Sequence, residues 1–297
     1  MKTSGKYSHE VGPLLAQTRE LLHRYNLRAK KGLGQHFLID EEVLRLIFST
    51  AQITTDDVVV EVGPGLGVLT RELVKEAGRV VAIELDNRLA VILKQNFSFS
   101  KNITIINEDV LKIVPADLLQ ELKVEYPPEG YKVVANLPYY ITSPVLRHFL
   151  DSEIKPRLMV VMVQKEVAEE ITAKPGQMSL LSVSVQFYGE PMIAGYVPAQ
   201  SFYPAPEVDS ALLKIVPYPH TPVDIDTESF FSLVRAGFSA ARKQIANSLT
   251  QSLGVTKVEV LSLLEKAEIL PQRRAETLSL DEWTRLWRVY TEAKERR

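Results

Sequence analysis

The hydrophobic pattern of the first half of the chain alternates between helical and strand-like periods. Apolar residues from Pro13 to Tyr25 recur at helical spacing, and the proline suits the first turn of a helix. Four short apolar runs follow, and their β-branched content is typical of parallel strands buried on both faces. These runs are residues 58–62, 80–86, 103–109 and 131–136. The alternation predicts an α/β domain with a doubly wound parallel sheet.

The second half continues this pattern and then changes to helices alone. Residues 158–163 predict a fifth strand, and 180–188 and 211–216 predict two strands of the antiparallel kind that often close such sheets. Three prolines within 217–222 indicate a linker. We therefore predict an α/β domain over 1–217, which includes an N-terminal helix at 13–25, and a small all-α domain over 222–297. Further helices are predicted at 41–51, 69–74, 145–150, 164–169, 230–238, 242–253, 255–267 and after the capping box of Ser279 and Glu282.

Composition narrows the class of protein. The chain has 297 residues, of which 45% are hydrophobic and 24% charged, as is ordinary for a globular protein. No apolar run approaches the ~20 residues of a membrane span, and the first residues lack the apolar stretch of a signal peptide. Cysteine is absent, which excludes disulfides and thiolate metal sites. We expect a cytoplasmic, monomeric protein with no membrane partner and no metal.

Charge adds little to this expectation. The formal net charge of −2 does not by itself indicate a nucleic-acid partner. The basic excess lies near the N-terminus, most visibly at Arg24, Arg28, Lys30 and Lys31. Beside a ligand-binding core these side chains could contact phosphates, although a solvated helix end explains them equally well.

Glycines and acidic side chains mark the ends of the predicted strands. The first strand runs into Gly63-Pro64-Gly65-Leu66-Gly67, and later strands end at Glu84, Asp109 and Asn136. Glycines permit a tight turn close to a ligand, and a carboxylate about 20 residues later commonly takes ribose hydroxyls. The dinucleotide fingerprint requires glycine or alanine where this chain has Val68. The set favours an adenosine without phosphates, such as S-adenosylmethionine, over incidental strand-end acids in a generic doubly wound fold.

Two loops carry aromatic rings beside polar groups. The loop Asn136-Leu137-Pro138-Tyr139 joins an amide, a rigid proline and a ring at a strand end, where a flat polar ligand could be held. A strand-end turn with an Asn cap and a core tyrosine explains the four residues equally well. Two prolines stiffen residues 202–210, so Phe202 could be presented as a fixed ring, with core packing as the alternative.

Taken in order, these motifs resemble the 16S ribosomal RNA adenine N6-dimethyltransferase family over roughly residues 27–290. The reading Asn-Leu-Pro-Tyr is similar to the small-subunit branch, whereas 23S resistance methylases more often carry Ile or Phe beside the Asn. The resemblance implies a Rossmann-like S-adenosylmethionine-dependent methyltransferase domain followed by a small all-α domain. The matching stretches are 33–38, 61–67, 84–86, Asp109, 136–139, 164–166, 202–210, 242–243, 247–249 and 274–278.

The resemblance also implies a cofactor and a substrate. The substrate would be two adjacent adenosines in a hairpin near the 3′ end of small-subunit RNA, and the product of the cofactor would be S-adenosylhomocysteine. The helical domain would help to dock the pre-30S ribosomal particle. The family usually has Asn at His36 and Arg at Ala241, and the second difference removes positive charge from a presumed RNA-facing side. The implied cofactor contacts are His36, Leu38, Gly63, Gly65, Glu84, Asp109 and Asn136, and the implied RNA contacts are Lys30, Lys31, Arg242 and Lys243.

The loop at 136–139 suggests how methyl transfer would proceed. We expect the Asn136 side-chain oxygen and the Leu137 carbonyl to accept the two N6 hydrogens of adenine, in a loop that Pro138 makes rigid. We expect Tyr139 and Phe202 to stack on the two faces of the base, and Tyr140 to pack internally. No general base is required. The alternatives are a 23S rRNA adenine methylase, a non-catalytic RNA-binding assembly or transcription factor, and a nicotinamide-dependent oxidoreductase.

Overall fold

The structure, a computed structural model, describes residues 12–121, 130–219, 225–240 and 242–295. It divides into two compact units. One comprises the described residues up to Lys165 together with Ile193–Ile215, and the other comprises Glu166–Met192 and the described residues from Val216 onward. This division differs from the predicted boundary at residue 217, because the segment 166–192 groups with the C-terminal helices. Part of the predicted linker, residues 220–224, lies outside the described residues.

A seven-stranded sheet carries the first unit. Its strand order is β4-β3-β2-β5-β6-β9-β7, and the five strands from β4 to β6 run parallel. Strand β9 is antiparallel to β6. The predicted α/β class with a mostly parallel sheet is confirmed. The strands are β1 Phe37–Leu38, β2 Val58–Val62, β3 Arg79–Ile83, β4 Ile103–Ile106, β5 Lys132–Asn136, β6 Leu158–Gln164, β7 Gly189–Val197, β8 Phe202–Tyr203 and β9 Ser210–Pro217.

The strand order reverses between β2 and β5. Strands β3 and β4 extend the sheet to one side of β2, and β5 and β6 extend it to the other. At such a reversal the loops after the two central strands diverge and leave a crevice at their carboxyl ends. The residues that follow β2 and β5 therefore face a common space. Every residue of β2 is buried, as expected for a β-branched strand between two helical layers.

The helices that were predicted begin and end close to the expected positions, whereas α4 and α5 were not predicted. Asp40 caps α2 by accepting hydrogen bonds from Glu42 and Val43, as its place in the sequence predicts. None of the described helices is long and apolar enough to cross a membrane. The helices are α1 Pro13–Arg24, α2 Glu41–Ala51, α3 Val68–Glu76, α4 Asn87–Asn96, α5 Pro115–Glu121, α6 Thr142–Leu150, α7 Lys165–Ile171, α8 Leu180–Gln186, α9 Thr227–Phe238, α10 Ile245–Leu253, α11 Lys257–Lys266 and α12 Leu280–Glu295.

The predicted strand at 180–188 is wrong, because most of this segment forms helix α8. The side chain of Ser179 accepts hydrogen bonds from the first turn, and the side chain of Ser182 accepts one from the backbone N–H of Ser179. This reciprocal cap stabilises a helix start in a short apolar run whose spacing alone does not separate helix from strand. The strand of this region is β7, which the sequence analysis did not predict.

A buried charge cluster closes the amino-terminal end of the sheet. Lys132 donates hydrogen bonds to Asp57 at 2.8 Å and to two backbone carbonyls at the end of α2. Arg157 pairs with the other carboxylate oxygen of Asp57. Burial acts to raise the pKa of Asp57, but hydrogen bonds from Lys132, Thr54 and Arg157 hold it below the ordinary value. The side chains of Asp57 and Lys132 are only 1% and 6% exposed, so the ammonium and carboxylate depend on each other.

The second unit has an aromatic core. The Phe187 ring stacks on Phe230 at 4.7 Å between centroids and contacts Phe231 edge to face. Trp283 is fully buried, and the indole N–H of Trp287 donates to Ser229 at 2.8 Å. Both tryptophans therefore belong to the core of this unit.

Candidate active site

A cavity of about 170 Å³ lies at the carboxyl ends of the central strands of the first unit. It forms where the loops after β2 and β5 diverge, at the reversal of the strand order. All seven predicted cofactor-binding residues lie in one place, since each of them lines this cavity. The lining comes from residues 33–38, 61–66, 68–69, 83–85, 89, 108–111 and 136–141.

The glycine turn and Glu84 are joined by hydrogen bonds. Gly65 N donates to Glu84 Oε2 at 3.0 Å, and Asp86 N donates to Oε1 at 2.8 Å. Gly65 has a φ of +60°, and a Cβ at this position would lie 3.3 Å from the ring of Phe37. Burial raises the pKa of Glu84, whereas the two backbone hydrogen bonds act against that rise. The carboxyl group is thus fixed at the end of β3, facing the cavity.

Asp109 follows β4 on the same side of the cavity. Its Oδ1 accepts a hydrogen bond from Leu111 N at 3.0 Å, and its side chain is partly exposed. Asn107 donates to the backbone carbonyl of Glu84 at 2.9 Å, which ties the ends of β3 and β4 together. The two predicted cofactor carboxylates are therefore held in a fixed relation at adjacent strand ends.

His36 connects three parts of the site. Its Nδ1 lies 2.7 Å from the carbonyl oxygen of Pro204, and its ring stacks on Tyr139 with centroids 5.8 Å apart. Because a carbonyl can only accept, the Nδ1 position carries the proton. The backbone carbonyl of His36 accepts a hydrogen bond from Asn136 Nδ2 at 2.9 Å. Leu38, two residues further, is buried and pairs with Phe202 in a two-residue ladder.

The loop after β5 is held from both sides. Leu137 is buried, and its N–H donates to Met162 O at 3.2 Å. The hydroxyl groups of Tyr139 and Ser210 are 2.7 Å apart. Burial raises the pKa of Tyr139, so its phenol stays protonated at neutral pH. Pro138 lies against the glycine turn, since a Cβ at Gly63 would be 3.6 Å from Pro138 Cδ.

Phe202 does not present a ring to the cavity. Its side chain is 2% exposed and belongs to the hydrophobic core of the first unit. The reason is the ladder between β1 and β8, which turns Phe202 inward opposite Leu38. This burial favours the alternative of core packing for Phe202, and its role in stacking on the base stays a prediction.

Lys30 forms an ion pair within the protein, and its side chain is still 44% exposed. Its Nζ lies 2.9 Å from Asp86 Oδ2, and the Asp86 carboxylate is almost completely buried. Gln35 Nε2 donates to the same oxygen at 3.3 Å, and Gln35 Oε1 accepts from the Lys30 backbone at 2.9 Å. We call Lys30, Gln35 and Asp86 the loop clasp, because they fasten the loop before β1 to the start of α4.

The other predicted RNA contacts lie elsewhere. Arg242 and Lys243 are exposed between α9 and α10 in the second unit, and Lys243 Nζ donates to Gln251 at 2.8 Å. The side chain of Lys31 and the whole of Ala241 lie outside the described residues. The structure thus gathers the cofactor candidates and Tyr139 in one cavity, and the RNA candidates whose side chains it describes, Lys30, Arg242 and Lys243, do not line that cavity.

Sequence reasoning missed two residues of the cavity. Tyr140 was expected to pack internally, yet it is 54% exposed and lines the cavity. Glu61 lies in the buried strand β2, and its Oε2 has no hydrogen-bond partner among the described residues. Burial, together with the nearby negative charge of Glu84, raises the pKa of Glu61 to about 8. Glu61 could have been identified from the sequence, because it is a glutamate within a strand that otherwise consists of valines.

The strand order, the glycine turn after β2 and the acids after β3 and β4 define a Rossmann-like methyltransferase domain. Two solved structures share this fold. A dimethyladenosine transferase from Plasmodium falciparum has a TM-score of 0.73 at 24% identity, covering 87% of this chain and 98% of that one. The 23S rRNA methyltransferase ErmE has a TM-score of 0.66 at 29% identity, covering 85% and 98%.

Sequence comparison gives the family. Residues 26–292 match the ribosomal RNA adenine dimethylase family, and the chain belongs to it. A protein of Dehalococcoides mccartyi named ribosomal RNA small subunit methyltransferase A is 53% identical over 280 residues, or 94% of each chain. The protein of the same name from Enterococcus faecalis is 44% identical, covering 91% of this chain and 93% of its own.

This membership confirms the predicted family and enzyme class, a ribosomal RNA adenine dimethyltransferase. It also implies S-adenosylmethionine as the methyl donor. The alternatives of an oxidoreductase and of a non-catalytic assembly factor are not favoured. The 23S methylase shares the fold at lower identity than the small-subunit relatives, so that alternative is not favoured either.

Proposed function

We propose that the protein transfers methyl groups from S-adenosylmethionine to N6 of two adjacent adenosines in a hairpin near the 3′ end of small-subunit rRNA, twice each. Its substrate would be the pre-30S particle in the cytoplasm, its second product S-adenosylhomocysteine, and its active form a monomer. The names of relatives that align along almost the whole chain support the choice of subunit. Direct displacement at a sulfonium carbon needs no Lewis acid, so no metal enters the proposal.

The lining of the cavity fits S-adenosylmethionine. Glu84 and Asp109 supply oxygens at two adjacent strand ends, where ribose hydroxyls and an adenine edge could bind. No Lys or Arg occurs among the described residues that line the cavity, which disfavours a ligand with a pyrophosphate. A Cβ at Gly65 would make a tight contact of 3.3 Å with the Phe37 ring, and the φ of +60° also favours glycine, so this turn presents bare backbone to the cavity. When bound, the cofactor supplies an electrophilic methyl group.

The orientation of the Asn136 amide carries the proposal. Its Nδ2 donates to the His36 carbonyl at 2.9 Å, and a carbonyl can accept only from the nitrogen side of an amide. Oδ1 is therefore the atom left to accept a hydrogen bond, and it accepts none within the described part of the chain. An acceptor fixed in this way at the end of β5 suits an exocyclic amino group.

From this geometry a mechanism follows. The N6 lone pair of adenine is conjugated into the ring, which makes it a poor nucleophile. Acceptance of its two hydrogens by Asn136 Oδ1 and Leu137 O favours a pyramidal nitrogen with its lone pair directed at the methyl group. Tyr139, whose hydroxyl is held by Ser210, stacks on the flipped base. Alignment supplies much of the rate, and the methylated cation then loses its proton to water without a general base.

The second methylation imposes a further demand on the loop. N6-methyladenine has one hydrogen fewer on N6 than adenine. One of the two acceptor atoms, Asn136 Oδ1 or Leu137 O, must therefore lose its hydrogen bond, and the first methyl group takes that place. Leu137 O is part of the buried backbone after β5, whereas Asn136 Oδ1 is on a side chain. We propose that the amide contact is kept in both rounds, because its partner His36 holds it independently of the substrate.

Two measurements test the proposal. Asn136→Ala should leave the dissociation constant for S-adenosylmethionine within about threefold but reduce methyl transfer at least 100-fold, by analogy with the loss of one transition-state hydrogen bond. Full activity in this variant would refute the mechanism.

The substrate is tested by incubating the protein with unmodified small and large ribosomal subunits and then mapping dimethyladenosine. Methylation of the large subunit alone would refute the proposed substrate.

We also propose that the α/β domain over 1–217 performs catalysis and that the helical domain over 222–297 docks the RNA. Arg242 and Lys243 are exposed in the helical domain, which suits contact with phosphates. Replacing both by Ala should weaken RNA binding and reduce its salt dependence by about one counterion per lost contact, with cofactor affinity unchanged. An unaltered salt slope would remove these two residues from the interface.

A further inference from the structure

Tyr140 has a position that its place in the sequence did not indicate. The side chain is 54% exposed, yet it belongs to the lining of the active-site cavity. Its neighbour Tyr139 turns toward Ser210 and His36 on the β9 side of the loop. The two adjacent tyrosines therefore serve different parts of the cavity.

Contacts with the loop before β1 fix where the Tyr140 ring lies. A Cβ built at Gly34 would be 3.4 Å from Cδ1 and 3.7 Å from Cε1 of Tyr140, so the backbone of Gly34 packs against the ring. Gly34 has a φ of +57°, a conformation that favours glycine, and Pro138 lies on the same side. The ring thus bridges the loop at 33–36 and the loop after β5 at the mouth of the cavity.

Electrostatics indicate which half of the cavity the phenol faces. Burial, followed by the negative charges of Asp109 and Glu84, raises the pKa of Tyr140. These two carboxylates stand at the ends of β4 and β3, which is the half of the cavity proposed for the adenosine of the cofactor. By contrast, the charge that acts on Tyr139 comes from Asp209, next to β9.

We propose that Tyr140 is a cofactor-binding residue whose ring covers the adenosine moiety of S-adenosylmethionine and S-adenosylhomocysteine. This inference rests on the proposed function, because it assumes that the adenosine binds at Glu84 and Asp109. A ring held against Gly34 and exposed on its remaining surface offers a flat apolar face to a base without loss of an internal contact. It also closes the mouth of the cavity, so its removal should speed dissociation of the cofactor more than it slows association.

The expected size of the effect follows from stacking energies between bases and aromatic rings, which correspond to about 5- to 150-fold in affinity. Tyr140→Ala should weaken S-adenosylmethionine and S-adenosylhomocysteine by at least fivefold in titration calorimetry, mainly through a faster off-rate in stopped-flow displacement. Tyr140→Phe keeps the ring and should bind within twofold of the natural protein. The matched control is Tyr196→Ala, since Tyr196 is 57% exposed and lies outside the cavity.

The outcomes separate this inference from the proposed function. Binding of S-adenosylmethionine to the natural protein, weakened by Glu84→Ala but not by Tyr140→Ala, would keep the proposed function and overturn the role of Tyr140. No binding to the natural protein would overturn both. A Tyr140→Ala variant with unchanged cofactor affinity and a raised KM for RNA would assign the ring to the target base instead. Equal losses in Tyr140→Phe and Tyr140→Ala would show that the hydroxyl, not the ring, makes the contact, which contradicts the stacking account.

Discussion

The ionisation of Glu61 should lower the free energy of unfolding as pH rises. Replacing Glu61 by Gln should make this decrease smaller. The carboxyl group is buried in β2, where Oε2 has no hydrogen-bond partner in the part of the chain that the structure describes, and its pKa is raised from 4.5 to about 8, mainly by burial and further by the charge of Glu84. The folded protein keeps this proton up to about pH 8, whereas the unfolded chain releases it near pH 4.5. Unfolding therefore releases a proton within this window, and the free energy of unfolding decreases with pH.

The magnitude follows from the two pKa values. Each pKa unit corresponds to about 1.4 kcal/mol, so the full cost of ionising Glu61 in the folded protein approaches about 5 kcal/mol above pH 8. Below pH 4.5 the residue is neutral in both states and contributes nothing. Gln has nearly the same shape and cannot ionise. In Glu61→Gln the free energy of unfolding should therefore fall less steeply between pH 5 and 8, by up to about 1.4 kcal/mol for each pH unit.

Urea unfolding followed by far-UV circular dichroism at several pH values measures this slope. The comparison uses the difference in slope, so it does not depend on any fixed cost or gain from introducing an amide. Glu76→Gln is a matched control, because Glu76 is exposed on α3 in the same unit and its replacement should leave the slope unchanged. Parallel pH profiles for the natural protein and Glu61→Gln would refute the reasoning, since they would mean that the buried carboxyl group binds its proton equally in both states.

Three further predictions concern the supports of the cavity. Lys30→Met breaks the loop clasp at Asp86, so the KM for S-adenosylmethionine should rise several-fold while RNA affinity in filter binding stays nearly constant; the reverse result would make Lys30 an RNA contact. His36→Asn should keep cofactor affinity within threefold in calorimetry, whereas His36→Ala loses the hydrogen bond to Pro204 and should weaken it about fivefold. Asp57→Asn leaves the Lys132 ammonium uncompensated and should cost about 3–5 kcal/mol in urea unfolding, and a loss below 1 kcal/mol would contradict this.

The sheet could be predicted from the sequence because its strands are buried on both faces. Strand β2 matches its predicted range at both ends, since a continuous β-branched run between polar residues has no other stable place in a folded protein. The prediction of a strand at 180–188 was wrong because the pattern of this segment does not separate strand from helix. Its apolar run is short, and the choice of helix is made by the hydrogen bonds of Ser179 and Ser182, which periodicity does not register. The strand at 189–197 was missed because a Pro and two Gly weaken its strand pattern.

The residues that line the candidate site could be predicted from the sequence, but the ion pairs and packing contacts that they make could not. Strand ends of a parallel sheet meet at one edge, which is why Gly65, Glu84 and Asn136 line a common cavity. Whether a lysine faces solvent or a buried acid depends on the loop path, so the clasp between Lys30 and Asp86 could not be read from the sequence. The burial of Phe202 could not be predicted for the same reason, because it depends on strand pairing between residues that are far apart in the chain.

One loop links the two halves of the active site. Residues 136–141 begin with an amide whose nitrogen is held by His36 and continue through Tyr139 and Tyr140, which start a single 3₁₀ turn and contact different residues, Ser210 and Gly34. If Tyr139 holds the base and Tyr140 covers the cofactor, as proposed above, a shift of this turn would move both rings. The turn is braced by the hydrogen bond from Ile141 N to Pro138 O at 3.1 Å, and this hydrogen bond would then help to fix the distance between the target nitrogen and the methyl group. A rate that depends on alignment is best protected when donor and acceptor are positioned by the same rigid element.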